Sequence, residues 1–204
     1  MNIPRTKGHL VVIEGIDGAG KSTVIQQLSR YCLEQQIPCV TSREPTTGKW
    51  GRLLRESART GRLSLSQELE LFMQDRAEHI LTLIGPALAE GKVVLLDRYY
   101  FSTAAYQGAR GADPEAILAQ NEEFAPQPDL VLLLDLDPLA GRARIAARGD
   151  TPDDFEEAEA LSQVRRIFLA IQRPYIVRID AARSAEEVAS QALEQMKRLL
   201  ATSR

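Results

Sequence analysis

Five short apolar runs recur along the chain. His9-Leu-Val-Val-Ile-Glu14 stops at a glycine, and Pro38 to Ser42, Lys92 to Leu96, Leu130 to Leu134 and Tyr175 to Ile179 are of similar length. Each is too short for a packed helix and too continuously apolar to leave one face in water. Each therefore predicts a strand covered on both sides. Helical spacing fills the gaps. Val24, Ile25, Leu28, Cys32 and Leu33 predict a helix over 21–36. Residues 48–62 are mixed, with at least a helical turn around Leu53 and Leu54. Ser64-x-x-Gln67 has the form of a capping box, and Leu65, Leu69, Phe72, Ile80 and Leu83 then define one face of a long helix. Asp113-Pro114 and Asp137-Pro138 open two further helices. Ser184-x-x-Glu187 caps a last one through Val188, Ala192 and Met196. Residues 148–157 are polar, with Gly149 and Pro152, and predict a mobile loop. Strands alternating with helices imply one α/β domain over 1–204, a five-stranded parallel sheet with helices on both faces.

Composition narrows the function. The 204 residues suffice for a core without disulfides or metal staples. A net charge of −3 is not the footprint of a nucleic-acid binder. Arginines nevertheless recur over 142–148 and at Arg165 and Arg166, which suits a small phosphate ligand. No apolar run approaches membrane-spanning length, and Leu10 to Ile13, after Arg5 and Lys7, is too short for a signal-peptide core. No nucleic-acid or membrane partner is expected, and a cytoplasmic location is. Cys32 and Cys39 lack zinc-site spacing and predict ordinary thiols.

The first strand runs into Gly15, Ile16, Asp17, Gly18, Ala19, Gly20, Lys21 and Ser22, followed by Thr23, a match to G-x-x-x-x-G-K-[ST]. The context is the required one, a buried strand before and a helix after. Glycines let backbone N–H groups turn toward phosphate oxygens, and the helix N-terminus adds partial positive charge. Lys21 is placed for the β- and γ-phosphates and Ser22 for Mg²⁺. A P-loop NTPase fold binding ATP with Mg²⁺ follows, but the loop specifies no acceptor.

The acceptor side rests on other residues. Val93-Val-Leu-Leu-Asp97 ends in a carboxylate suited to the metal, with the Arg98 fork next in sequence. Arg43-Glu44-Pro45 closes the second strand, and Pro45 keeps Glu44 extended so that Arg43 projects. Arg76 falls on the apolar face of the long helix, one turn after Phe72. A guanidinium there needs a buried carboxylate or a polar ligand.

At this level of detail the chain resembles the thymidylate kinase family across nearly its full length. The run Asp97-Arg-Tyr-Tyr-Phe-Ser-Thr-Ala-Ala-Tyr-Gln-Gly108 is similar to a signature of that family, and Glu14 to Thr23, Arg43-Glu-Pro45 and Phe72-x-x-x-Arg76 follow its order. The resemblance implies transfer of the γ-phosphoryl of ATP to dTMP, giving dTDP and ADP on the way to dTTP. It implies that Phe72 stacks on thymine, that Arg76 and Gln107 bind the base edge, and that Tyr106 packs on the sugar. Asp17 orients the acceptor, Arg43 and Arg98 hold its phosphate, and Ser102 joins the substrate site. Lys21, Arg98, Asp17 and Arg148 form the catalytic set. Arg144 and Arg148 lie on the ATP side, in a short lid over about 142–157, and the Asp180-Ala-Ala segment flanks adenine. The family is generally homodimeric. Two features depart from it. The arginine usual in the loop or lid is absent, with Gly18 in the one and no Arg or Lys over 150–157 in the other, so Arg142, Arg144 or Arg148 substitutes or turnover is slow. Thr46-Thr-Gly-Lys-Trp50 also replaces a glycine-rich continuation. The alternatives are a kinase for another nucleoside or deoxynucleoside monophosphate and a nucleotide-binding regulator without phosphotransfer.

Overall fold

A computed structural model describes residues 8–61, 63–147 and 155–202. Its strands are β1 (His9–Glu14), β2 (Cys39–Arg43), β3 (Val93–Asp97), β4 (Leu130–Asp135) and β5 (Ile176–Asp180). All pair in parallel in the order β2-β3-β1-β4-β5. Successive residues of β1, β3 and β4 are buried, so their alternating side chains meet protein on both faces. This is the architecture expected from the five apolar runs.

The helices are α1 (Lys21–Glu34), α2 (Lys49–Thr60), α3 (Leu65–His79), α4 (Gly85–Ala89), α5 (Tyr100–Gly108), α6 (Pro114–Glu122), α7 (Pro138–Ala146), α8 (Phe155–Ala170) and α9 (Ala185–Ala201). α1 and α9 pack on each other and on the sheet, while α5 packs on α3, α6 and α8. Val24, Leu28 and Met196 share one core with Phe101, Ala104, Val164 and Phe168, the strands lying among them.

Three differences from the sequence pattern matter for the site. Residues 49–60 form a full helix, extending well past the one turn that the pattern required. The long helix divides into α3, a π-helical stretch over Ile80–Ile84, and α4. The side chains α3 buries are Glu68, Asp75, Arg76 and His79, whereas Leu65, Leu69 and Phe72 are only partly covered. The polar face turns inward because each of its groups meets a partner from another segment: Asp75 meets Thr46, Arg76 and His79 meet Glu44, and Glu68 meets Gln107. Of the expected loop, residues 148–154 lie outside the described residues, and the sequence from Phe155 is already helical.

Candidate active site

Each strand ends in a charged residue: Glu14, Arg43, Asp97, Asp135 and Asp180. In a parallel sheet these share one rim, where ligands bind in open α/β folds. β1 leads there into the loop Gly15–Gly20, which α1 follows. Gly18 has φ 80°, and a Cβ on it would lie 2.4 Å from the Gly141 carbonyl oxygen of α7. In return, a Cβ on Gly141 would lie 2.8 Å from the Asp17 carbonyl oxygen. Lys21 is buried and donates to the Gly15 and Ile16 carbonyls at 3.0 Å each. Burial, helped by Arg98, lowers its ammonium to about 8. An anion bound beside it would favour the charged form and raise that value again. Gly18, Ala19, Gly20 and Thr23 line a cavity of about 240 Å³ with Arg144, Arg183 and Ser184. Arg144 thus stands beside the loop as expected. The expected Asp180-Ala-Ala segment is not among its lining residues; Arg183 and Ser184, which follow it in sequence, are.

A second cavity, of about 530 Å³, is lined by Asp17, Phe72, Arg76, Arg98, Ser102, Tyr106 and Gln107, among others. These residues come from the loop, α3, the β3–α5 turn and α5, so the fold gathers positions up to ninety residues apart. Arg76 is fully buried. Its Nε and Nη2 donate to Glu44 Oε2 at 2.9 and 2.7 Å, Nη2 to Thr103 at 3.1 Å and Nη1 to Asn121. The two outcomes posed for this guanidinium hold together: it has its carboxylate, and it borders a cavity with one of its five N–H groups uncommitted. Glu44 accepts at its other oxygen from His79 Nδ1 at 3.1 Å, and His79 Nε2 lies 2.8 Å from Ser42. Gln107 donates to Glu68 at 3.2 Å and accepts from Arg110 at 2.9 Å.

Arg98 lines this second cavity and reaches the loop through Asp17. Its φ is 67°, its Nη2 donates to Asp17 at 2.6 Å and to Tyr106 at 3.2 Å, and its Nη1 to Ser102 at 3.0 Å. With Arg43 and Arg55 it surrounds a smaller hollow of about 310 Å³ that also touches Asp97. Arg43 is exposed at the end of β2, beside Asp97 in register. Ser22 and Asp97 border a fourth cavity, of about 610 Å³, and Asp97 Oδ1 is buried with no hydrogen-bond partner among the described residues. A bare carboxylate oxygen and a hydroxyl suit Mg²⁺, which takes few protein ligands and keeps water and phosphate oxygens. Arg148 lies outside the described residues.

Comparison with known proteins decides the family. The thymidylate kinase profile matches residues 13–192. The chain belongs to the thymidylate kinase family. It is 54% identical over 184 residues to a thymidylate kinase of Akkermansia muciniphila, covering 90% of this chain and 89% of that one. It is 51% identical over 193 residues to one of Xanthomonas campestris pv. campestris, covering 94% and 85%. Thymidylate kinase of Xanthomonas euvesicatoria is 50% identical over 185 residues, covering 91% and 81%.

Several residues of this thymidylate kinase family site were not singled out from the sequence. Arg55 carried no signal, since exposed helix arginines are common. Asn121, Thr103 and Glu68 are buried polar groups whose burial depends on tertiary packing. Glu14 did leave a trace, a carboxylate ending a strand otherwise buried throughout.

Proposed function

We propose that the chain moves the γ-phosphoryl of ATP to dTMP, giving dTDP and ADP, with the roles assigned below. The observation that carries this reading is that the phosphate loop and the aromatic- and arginine-lined cavity meet at Asp17 and Arg98 on one rim. Loop N–H groups and Lys21 hold the triphosphate. Phe72 offers its ring to thymine. The uncommitted N–H of Arg76 and the Gln107 amide read the base edge, and Tyr106 packs on the sugar. Arg43, Arg55 and Arg98 hold the acceptor phosphate, three cations around one hollow. Ser22 and Asp97 hold Mg²⁺, which when bound neutralises charge on the β- and γ-phosphates. The acceptor is a phosphate oxygen ionised near neutral pH, so no strong base is needed, and the protein's work is alignment and charge neutralisation. Arg144, beside the loop, and Arg148 are assigned to the ATP side of the reaction, in a lid whose closure excludes water.

Homodimer formation is part of the proposal. Leu53 on α2 and Leu81 in the π-helical stretch are exposed apolar side chains. The location proposed is the cytoplasm; among the described residues no helix is long and apolar enough to cross a membrane.

The test is coupled ADP release across all nucleoside monophosphates with ATP and Mg²⁺. dTMP is expected to be preferred, Lys21→Ala to abolish transfer, and Gln107→Ala to relax discrimination between dTMP and dCMP. Absence of ADP formation with dTMP refutes the reading.

A further inference from the structure

Glu14 is fully buried at the end of β1 and borders none of the four cavities described above. Its carboxylate is nevertheless occupied on both oxygens. Oε1 accepts the backbone N–H of Tyr99 at 2.8 Å and of Ser102 at 3.2 Å. Oε2 accepts the Ser102 hydroxyl at 2.5 Å. The same hydroxyl oxygen accepts from Arg98 Nη1 at 3.0 Å. A guanidinium can only donate, and a hydroxyl has one proton. The chain of bonds therefore has one direction, Arg98 to Ser102 to Glu14, and it needs an acceptor at its end. Nη2 is held separately by Asp17 and Tyr106, so three of the five N–H groups of Arg98 are committed and two are left. The backbone of Arg98 is held as well, its N–H donating to the Ile13 carbonyl at 3.0 Å, one residue before Glu14.

We propose that Glu14 is a positioning residue for the acceptor nucleotide, fixing the turn 98–102 and, through the Ser102 hydroxyl, aiming the free N–H groups of Arg98 at the dTMP phosphate. The inference rests on the reading of Arg98 as a ligand of that phosphate. A structural staple alone would require the two backbone bonds. It would not require a hydroxyl bridging the carboxylate to the guanidinium, and a substitution that keeps shape but reverses the bridge separates the two roles.

Glu14→Gln is that substitution. Its amide oxygen can still accept the two backbone N–H groups, but its NH₂ then faces Ser102 as a donor. The hydroxyl then accepts from both the amide and Arg98 and loses the acceptor for its own proton, so its hold on Arg98 is weakened. Steady-state kinetics of Glu14→Gln, Ser102→Ala and the double variant, at a pH above 7 so that Glu14 is ionised and with each substrate varied in turn, test this. KM for dTMP is expected to rise about tenfold in each single variant, the scale of one hydrogen bond to a charged group. KM for ATP is expected to stay within about twofold, and the double variant to be no worse than either single one, because one chain of bonds is broken in all three. The unchanged ATP constant also serves as the folding control. An unchanged dTMP constant in Glu14→Gln overturns the proposal, as does an equal rise for both substrates or full additivity. Arg98→Ala separates the underlying reading: if it leaves KM for dTMP unaltered, the phosphate role of Arg98 fails; if it raises KM while Glu14→Gln does not, only the role of Glu14 fails.

Discussion

Burial raises the Glu14 carboxyl from 4.5 to about 7, against the lowering effects of the Ser102 hydroxyl, Arg98, the Tyr99 N–H and Lys21. Between these two values the folded chain holds a proton that the unfolded chain has released. The group's contribution to stability is therefore complete below about pH 4.5 and is lost as pH rises through about 7. Over that window wild type should lose on the order of 3 kcal/mol relative to Glu14→Gln, whose side chain does not titrate. Urea melts at several pH values, in chelator, check the difference between the two proteins; a difference that is flat with pH contradicts the buried ionisation. At this scale the sequence was uneven. Lys21 and Arg98 were legible because a motif and a strand end each assign a place. Arg76 was legible as a problem, a charge on an apolar face, but its solution in Glu44, Thr103 and Asn121 comes from three other segments and no spacing could supply it.

Among the elements, α3 shows where periodicity misleads. Leu65, Leu69 and Phe72 looked like its core stripe, yet its buried positions are charged or titratable. The apolar pattern signals a face in partial contact, and the inward face is polar because its groups are paired with Thr46, Glu44 and Gln107. Its start was read correctly: the Ser64 side chain accepts from the Gln67 N–H, and Gln67 returns a bond to Ser64. Ser64→Ala should cost about 1 kcal/mol, which for a chain of this length lowers Tm by about 3 °C. Because α3 presents Phe72 and Arg76, the loss should appear in dTMP affinity as well as in a thermal melt, with ATP affinity spared. An unchanged Tm would mean that the cap contributes nothing beyond solvent. α5 was not recognised as a helix from its sequence, since its small and aromatic residues are buried nearly all round and leave no amphipathic trace.

For the whole molecule, the five apolar runs were enough to give the parallel sheet, because strands buried on both faces need helices on both sides. Strand order was not legible, as it depends on which crossovers pack. The order found brings β1 between β3 and β4, so that the loop, Asp97 and Asp135 stand together. One contact ties the donor side to the rest: Gly18 of the loop against Gly141 of α7. Gly141→Ala should push the Asp17–Gly18 backbone from its place and weaken ATP binding by tenfold or more, about 1.4 kcal/mol. Isothermal titration with a non-hydrolysable ATP analogue checks this, and full-strength binding would mean that α7 gives way instead. The same contact bears on the missing cation. A side chain at position 18 would leave the loop toward α7, and that exit is filled by the backbone of Gly141. Grafting arginine at 18 and keeping the present seat of α7 are mutually exclusive, so in the proposed transfer an arginine that assists Lys21 has to come from outside the loop.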